Sequence, residues 1–216
     1  MRYATISFVL LAGSARAQMP GAPVLQNAWA SPGIVGAVNF AGGDGSTYAA
    51  AAAWSPASAR FQLSGGIGLR SRAGLGSKSV YGVRAAIPFG GASSAFGFGA
   101  FAGVGGGQGS TGAAGGSAAT DTVANTTAIP VGVAIGWRHA IGTRGFSVYA
   151  TPAYVFSTGG SNNTGLVRTA IAADIGLSKA LGITAGVEFG QNRARGASGP
   201  SGTLYGLGVS YAVGRR

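Results

Sequence analysis

The chain contains no cysteine, one histidine and only four acidic residues in 216. Without cysteine there are no disulfides, no thiolate nucleophile and no thiolate metal ligand. His139 stands alone, so a zinc or redox-metal site has almost no ligands to draw on, and neither a metal nor a cofactor is expected. The acids Asp44, Asp121, Asp174 and Glu188 form no local carboxylate pair for acid and base work, although Asp174 and Glu188 fall where they would meet across adjacent strands. A non-enzymatic chain is the expectation. Charge is scarce as well, at 9% of residues, against roughly 25% in ordinary soluble domains. Long apolar runs are missing too: the longest, Tyr48 to Trp54, is mostly alanine and far short of the roughly 20 residues that a spanning helix needs. A chain of this apolarity without spanning helices reads as a closed barrel or a surface binder.

Glycine is what the chain has in plenty, with 42 residues but no triplet period, so a collagen-like fibre is excluded. Two glycine patterns resemble nucleotide motifs and fail on context. Gly97-x-Gly99-x-x-Ala102 sits inside a strand with no helix after it, and Gly74 to Ser79 lacks the glycine that a phosphate loop requires before Lys78. The net charge of +11 comes from arginines scattered singly along strand-like segments, not gathered into a stripe with aromatics. Nucleic acid is therefore not an expected partner, and anionic lipid head groups fit the spread better.

The N-terminus carries Arg2, an apolar core from Ile6 to Ala12 and the small-x-small site Ala15-Arg16-Ala17, the pattern of a secretory signal peptide cleaved after Ala17. Three segments follow from this: a signal peptide at 1–17, a proline-containing N-terminal lead-in at 18–32 that precedes or partly plugs what comes next, and a strand-rich remainder at 33–216.

That remainder alternates apolar with small or polar residues in about ten short stretches. The third, Arg60 to Arg70, sets Phe61, Leu63, Ile67 and Leu69 against Arg60, Gln62, Ser64 and Arg70; the sixth, Thr126 to Arg138, sets Ile129, Val131, Val133, Ile135 and Trp137 against Gly and Ala. Gaps between stretches run long, then short, with the longest irregular segment at Gly105 to Asn125 and another at Gln191 to Gly202. The fold class implied is all-β: a single antiparallel up-and-down transmembrane β-barrel of about ten strands, with eight and twelve as the neighbouring even counts. Both termini then lie on the short-turn, periplasmic side. Aromatics sort to both strand ends, with Trp54, Phe61, Phe89, Trp137, Phe146 and Tyr211 on the turn side and Phe40, Tyr48, Tyr81, Phe156, Phe189 and Tyr205 on the loop side. Amphipathic rings gather in this way at the two interfaces of a bilayer. A soluble β-sandwich is the competing fold, and the unbroken apolar stripe of the sixth stretch opposes it.

In this register Asn39, Arg60, Gln62, Arg70, Arg84, Arg138, Arg168, Asp174 and Glu188 face the lumen. They form either an internal network that fills the barrel or the lining of a narrow pore with slight anion preference.

The last stretch carries Tyr205, Leu207, Val209, Tyr211 and Val213 at every second position. In this it resembles bacterial outer-membrane β-barrel proteins of the small OmpA-like and OmpX-like sort, from which it departs by ending Gly214-Arg215-Arg216 instead of in Phe. The resemblance implies an outer-membrane location, contact with outer-membrane lipid, and a terminal strand read by the barrel-assembly machinery. It also implies a range of roles, as a structural, porin-like barrel or narrow passive pore, as an adhesin, here one that would bind a surface ligand through residues 105–125 and 191–202, or as a lipid-modifying enzyme, which would need His139 in a membrane-facing site.

Overall fold

A computed structural model describes residues 26–43, 46–72, 76–90, 94–110, 123–141, 144–159, 162–190 and 203–213. Ten strands carry these residues: β1 (Gly33–Gly43), β2 (Ser46–Ser55), β3 (Gln62–Arg72), β4 (Gly76–Pro88), β5 (Phe96–Ser110), β6 (Val123–Ile141), β7 (Arg144–Gly159), β8 (Asn162–Gly176), β9 (Leu181–Gly190) and β10 (Leu204–Val213). Each pairs antiparallel with its neighbours in the chain, and β1 closes on β10 from Ile34 opposite Val213 to Gly43 opposite Leu204. The fold is thus a closed, up-and-down, all-antiparallel barrel of ten strands. Closure leaves no strand edge unpaired, as a wall immersed in lipid requires.

Period-two alternation sorts the side chains. On β2, Tyr48 and Trp54 are exposed while Thr47, Ala49, Ala51 and Ala53 are buried. On β10, Tyr205, Leu207, Val209, Tyr211 and Val213 alternate along the strand and are all exposed. Aromatic pairs ring both ends of this outer face. Phe40 packs on Tyr48 at 5.1 Å and Tyr154 on Phe156 at 4.5 Å toward the loop side, while Trp54 packs on Phe61 at 5.6 Å and Phe89 on Phe98 at 5.5 Å toward the turn side. Large apolar residues are therefore outside and small ones inside, the inverse of a soluble domain.

The long-and-short rhythm of the gaps holds less well than the strand count. The segment expected to be irregular from Gly105 to Asn125 instead carries the ends of β5 and β6, where Gly105 pairs with Ala128 and Ser110 with Val123. Ser71 and Arg72 pair with Ser77 and Gly76, and Ser157 to Gly159 with Thr164 to Asn162, so these segments also continue as strand on either side of residues 73–75 and 160–161, which lie outside the described residues. Gly, Ser and Thr offer no apolar period to read, yet their backbone groups complete the ladder equally well. The result is a lopsided wall: β5 to β8 have 15, 19, 16 and 15 residues, whereas β1, β2, β9 and β10 have 10 or 11. About 9–11 tilted residues cross a bilayer, so the taller half continues past the apolar band.

The lumen as the candidate functional site

Ten strands enclose more space than the eight-stranded barrels whose side chains just fill them. The inward residues here are small, among them Ala49, Ala51, Ala53, Ala134, Ala170 and Ala172. A segment from outside the sheet takes up the room. Residues 26–32 turn back from the start of β1 into the barrel, and Gln26, Ala28 and Trp29 are buried there. Of the lead-in, residues 18–25 lie outside the described residues, and among 26–32 Gln26, Ala28 and Trp29 are buried.

Trp29 occupies a slot in the wall. Its ring lies against Gly97 and Gly136, which pair across β5 and β6, so that a Cβ on either glycine would collide with the indole. Above it sits the Arg138 guanidinium, 5.0 Å from the ring centroid and held by a 2.9 Å hydrogen bond from Nε to the Ser94 carbonyl. Cation–π attraction and apolar contact both favour this seat. The polar neighbours are equally specific. Asn27 donates to Asp174 at 3.2 Å, Arg84 donates to the Gln26 carbonyl at 3.5 Å, and the Thr151 hydroxyl donates to Gln26 Oε1 at 3.5 Å. A cavity of about 10 Å³ borders the segment, at the limit of what one water occupies.

Asp174 is the centre of the turn-side layer. It accepts from Thr184 at 2.6 Å, Tyr149 at 3.2 Å and Ser147 at 3.4 Å in addition to Asn27. Four donors satisfy most of a carboxylate's acceptor sites, which makes burying it tolerable. In the middle layer Arg84 lies over the Phe101 ring at 3.9 Å, and Gly132 leaves the gap into which that ring fits. The loop-side layer is built on an ion pair. Arg168 binds Glu188 from the neighbouring strand, and both are almost wholly buried.

Of the residues expected in the lumen, Asn39, Gln62, Arg84, Arg168 and Glu188 are buried, while Arg70, Arg138 and Asp174 are half-buried on inward positions. Arg60 is exposed instead. It precedes β3 because the chain is still turning there, with Ala59 at φ 49° and its N–H bonded to the Pro56 carbonyl at 2.9 Å. Asp174 and Glu188 do not meet: the register sets Asp174 opposite Thr184 and Glu188 opposite Ala170. Tyr149, Thr151 and Thr184 went unidentified from sequence, although the inward phase of β7 and β9 contains them. Gln26, Asn27 and Trp29 had no periodic signal at all. His139 is exposed near the turn end and stacks on Trp137 at 5.8 Å. Among the described residues no three His, Cys, Asp or Glu side chains gather in a way that would hold a metal.

Comparison with known proteins bears on the fold. No protein-family model matches the chain, and no curated protein matches it. Solved structures do. The β-domain of the Bordetella autotransporter BrkA superposes with a TM-score of 0.56 at 13% identity, covering 85% of this chain and 99% of that one. The translocator domain of the autotransporter NalP from Neisseria meningitidis gives 0.47 at 14% identity, covering 82% and 86%. The N-terminal β-barrel domain of Pseudomonas aeruginosa OprF gives 0.38 at 7%, covering 82% and 95%. The chain thus shares the closed β-barrel fold of the BrkA β-domain.

Proposed function

We propose that the protein is a non-enzymatic outer-membrane β-barrel, exported with its signal peptide cleaved after Ala17, whose role is structural or that of a narrow passive pore with slight anion preference: a lipid-embedded wall that holds its outer loops at the surface. The observation that carries this reading is the outer face, apolar around the whole closed sheet and bounded by aromatics at both ends. Such a surface is stable only in lipid or detergent. The partners that follow are outer-membrane lipid and the assembly machinery that would read β10. Two measurements test it. The mature chain should fractionate with the outer membrane, and unboiled in detergent it should migrate faster than when boiled; a soluble chain with a single band in both states would sink the proposal.

A second reading, a barrel that binds a surface partner, is favoured by the extension of β5 to β8 beyond the length that a bilayer crossing needs. Cells displaying the chain with residues 111–122 replaced by a short turn should then lose that binding while keeping the heat-dependent band shift.

A further inference from the structure

We infer that the lumen is a binding channel for an extended peptide segment, that Gln26–Ala30 is its resident ligand, and that the barrel is a closed anion-selective pore held shut by this ligand. The inference rests on the membrane-barrel reading above. Three observations carry it. The wall is complete without the segment, since every strand already has two hydrogen-bonded neighbours, so the segment is an occupant and not part of the frame. The fit is side-chain specific: the three nearest atoms to a Cβ placed on Gly97 all belong to the Trp29 ring, and Asn27 and Gln26 meet Asp174, Arg84 and Thr151. A cavity that borders the segment, lined by Asn27, Trp29, Gln62 and Ala134 among others, is small, about 10 Å³. A pair of glycines facing each other across two strands has little to offer a lumen except room, and an indole takes that room. With the segment displaced, the channel would present Arg70, Arg84, Arg138 and Arg168 against Asp174 and Glu188, an excess of positive charge that favours anions in a narrow low-dielectric passage.

Planar-bilayer recording tests this on the full mature chain. The parent should be silent. The full-length variant Gln26→Ala, Asn27→Ala, Trp29→Ala should pass a steady current whose reversal potential in a KCl gradient lies on the chloride side. A synthetic peptide of residues 26–32 should block that current, and the same peptide with Trp29→Ala should not. If the triple variant does not fold, Gly97→Ala decides in its place: a single methyl group aimed at the indole should raise the open fraction about tenfold or more, and adding Trp29→Ala to it should produce little further change. An open parent with the same current, or silence of the variant that decides the test, overturns the inference. The heat-dependent band shift, recorded first on the parent, separates the two levels. Its absence would remove the membrane-barrel reading, whereas a shifted but silent triple variant would remove the plug alone.

Discussion

Toward the loop end the lumen holds a buried ion pair, Arg168 with Glu188, contributed by two adjacent strands of the wall; toward the turn end it holds one carboxylate, Asp174, answered by four neutral donors, one of them from a segment outside the sheet. Both arrangements neutralise charge removed from water, but they depend on different things. The ion pair is internal to the wall and forms when β8 and β9 pair. The carboxylate layer is shared between the wall and residue 27, so part of it leaves if the segment leaves. The difference teaches where the barrel is frame and where it is lock.

Single substitutions sharpen the contrast, and unfolding midpoints in urea, read by the band shift in lipid vesicles, measure them on one scale. Glu188→Ala should have the largest effect, about 3–5 kcal/mol, because it strands a buried guanidinium. Asp174→Asn should cost less, about 1.5–3 kcal/mol, since the pair of donors on one carboxylate oxygen keeps a neutral acceptor while the pair on the other meets an amide N–H instead. Thr184→Val removes the shortest of those hydrogen bonds, and about 1 kcal/mol is expected. The smallest effect belongs to the pair Arg168→Met with Glu188→Leu, expected within about 1 kcal/mol of the parent because similar volume replaces both charges together. A double variant as damaged as Glu188→Ala would break the comparison, by showing that the loop end needs its charges for more than mutual satisfaction.

The wall was legible from sequence because a sheet with two unlike faces imposes a period of two on every strand: Leu63, Ile67 and Leu69 on β3, or Leu207, Val209 and Tyr211 on β10, announce their face by alternation alone. The upper parts of β5 to β8 were not. Above the apolar band nothing selects large side chains, so Gly105 to Ser110 pairs as strand while reading as loop. The lumen was legible in part. Its charged residues stood out, and the inward phase located Arg84, Arg168 and Glu188; the adjacency of Asp174 and Glu188 failed because it depended on a register that alternation cannot supply. Trp29 was invisible, since what defines its place is the absence of side chains at Gly97 and Gly136, far away in the chain.

Nine of the ten pairings join strands that follow one another in the chain, so each forms between segments close in sequence. The seam between β1 and β10 does not: Ile34 must find Val213 across almost the whole polypeptide. Contact between ends so remote is entropically slow to form, and until it forms the sheet has two raw edges in a membrane that tolerates none. Formation of this barrel therefore has a single late, all-or-none step. A lesion in β1 or β10 should arrest assembly as an open sheet, whereas the same lesion in β4 should only weaken the finished wall.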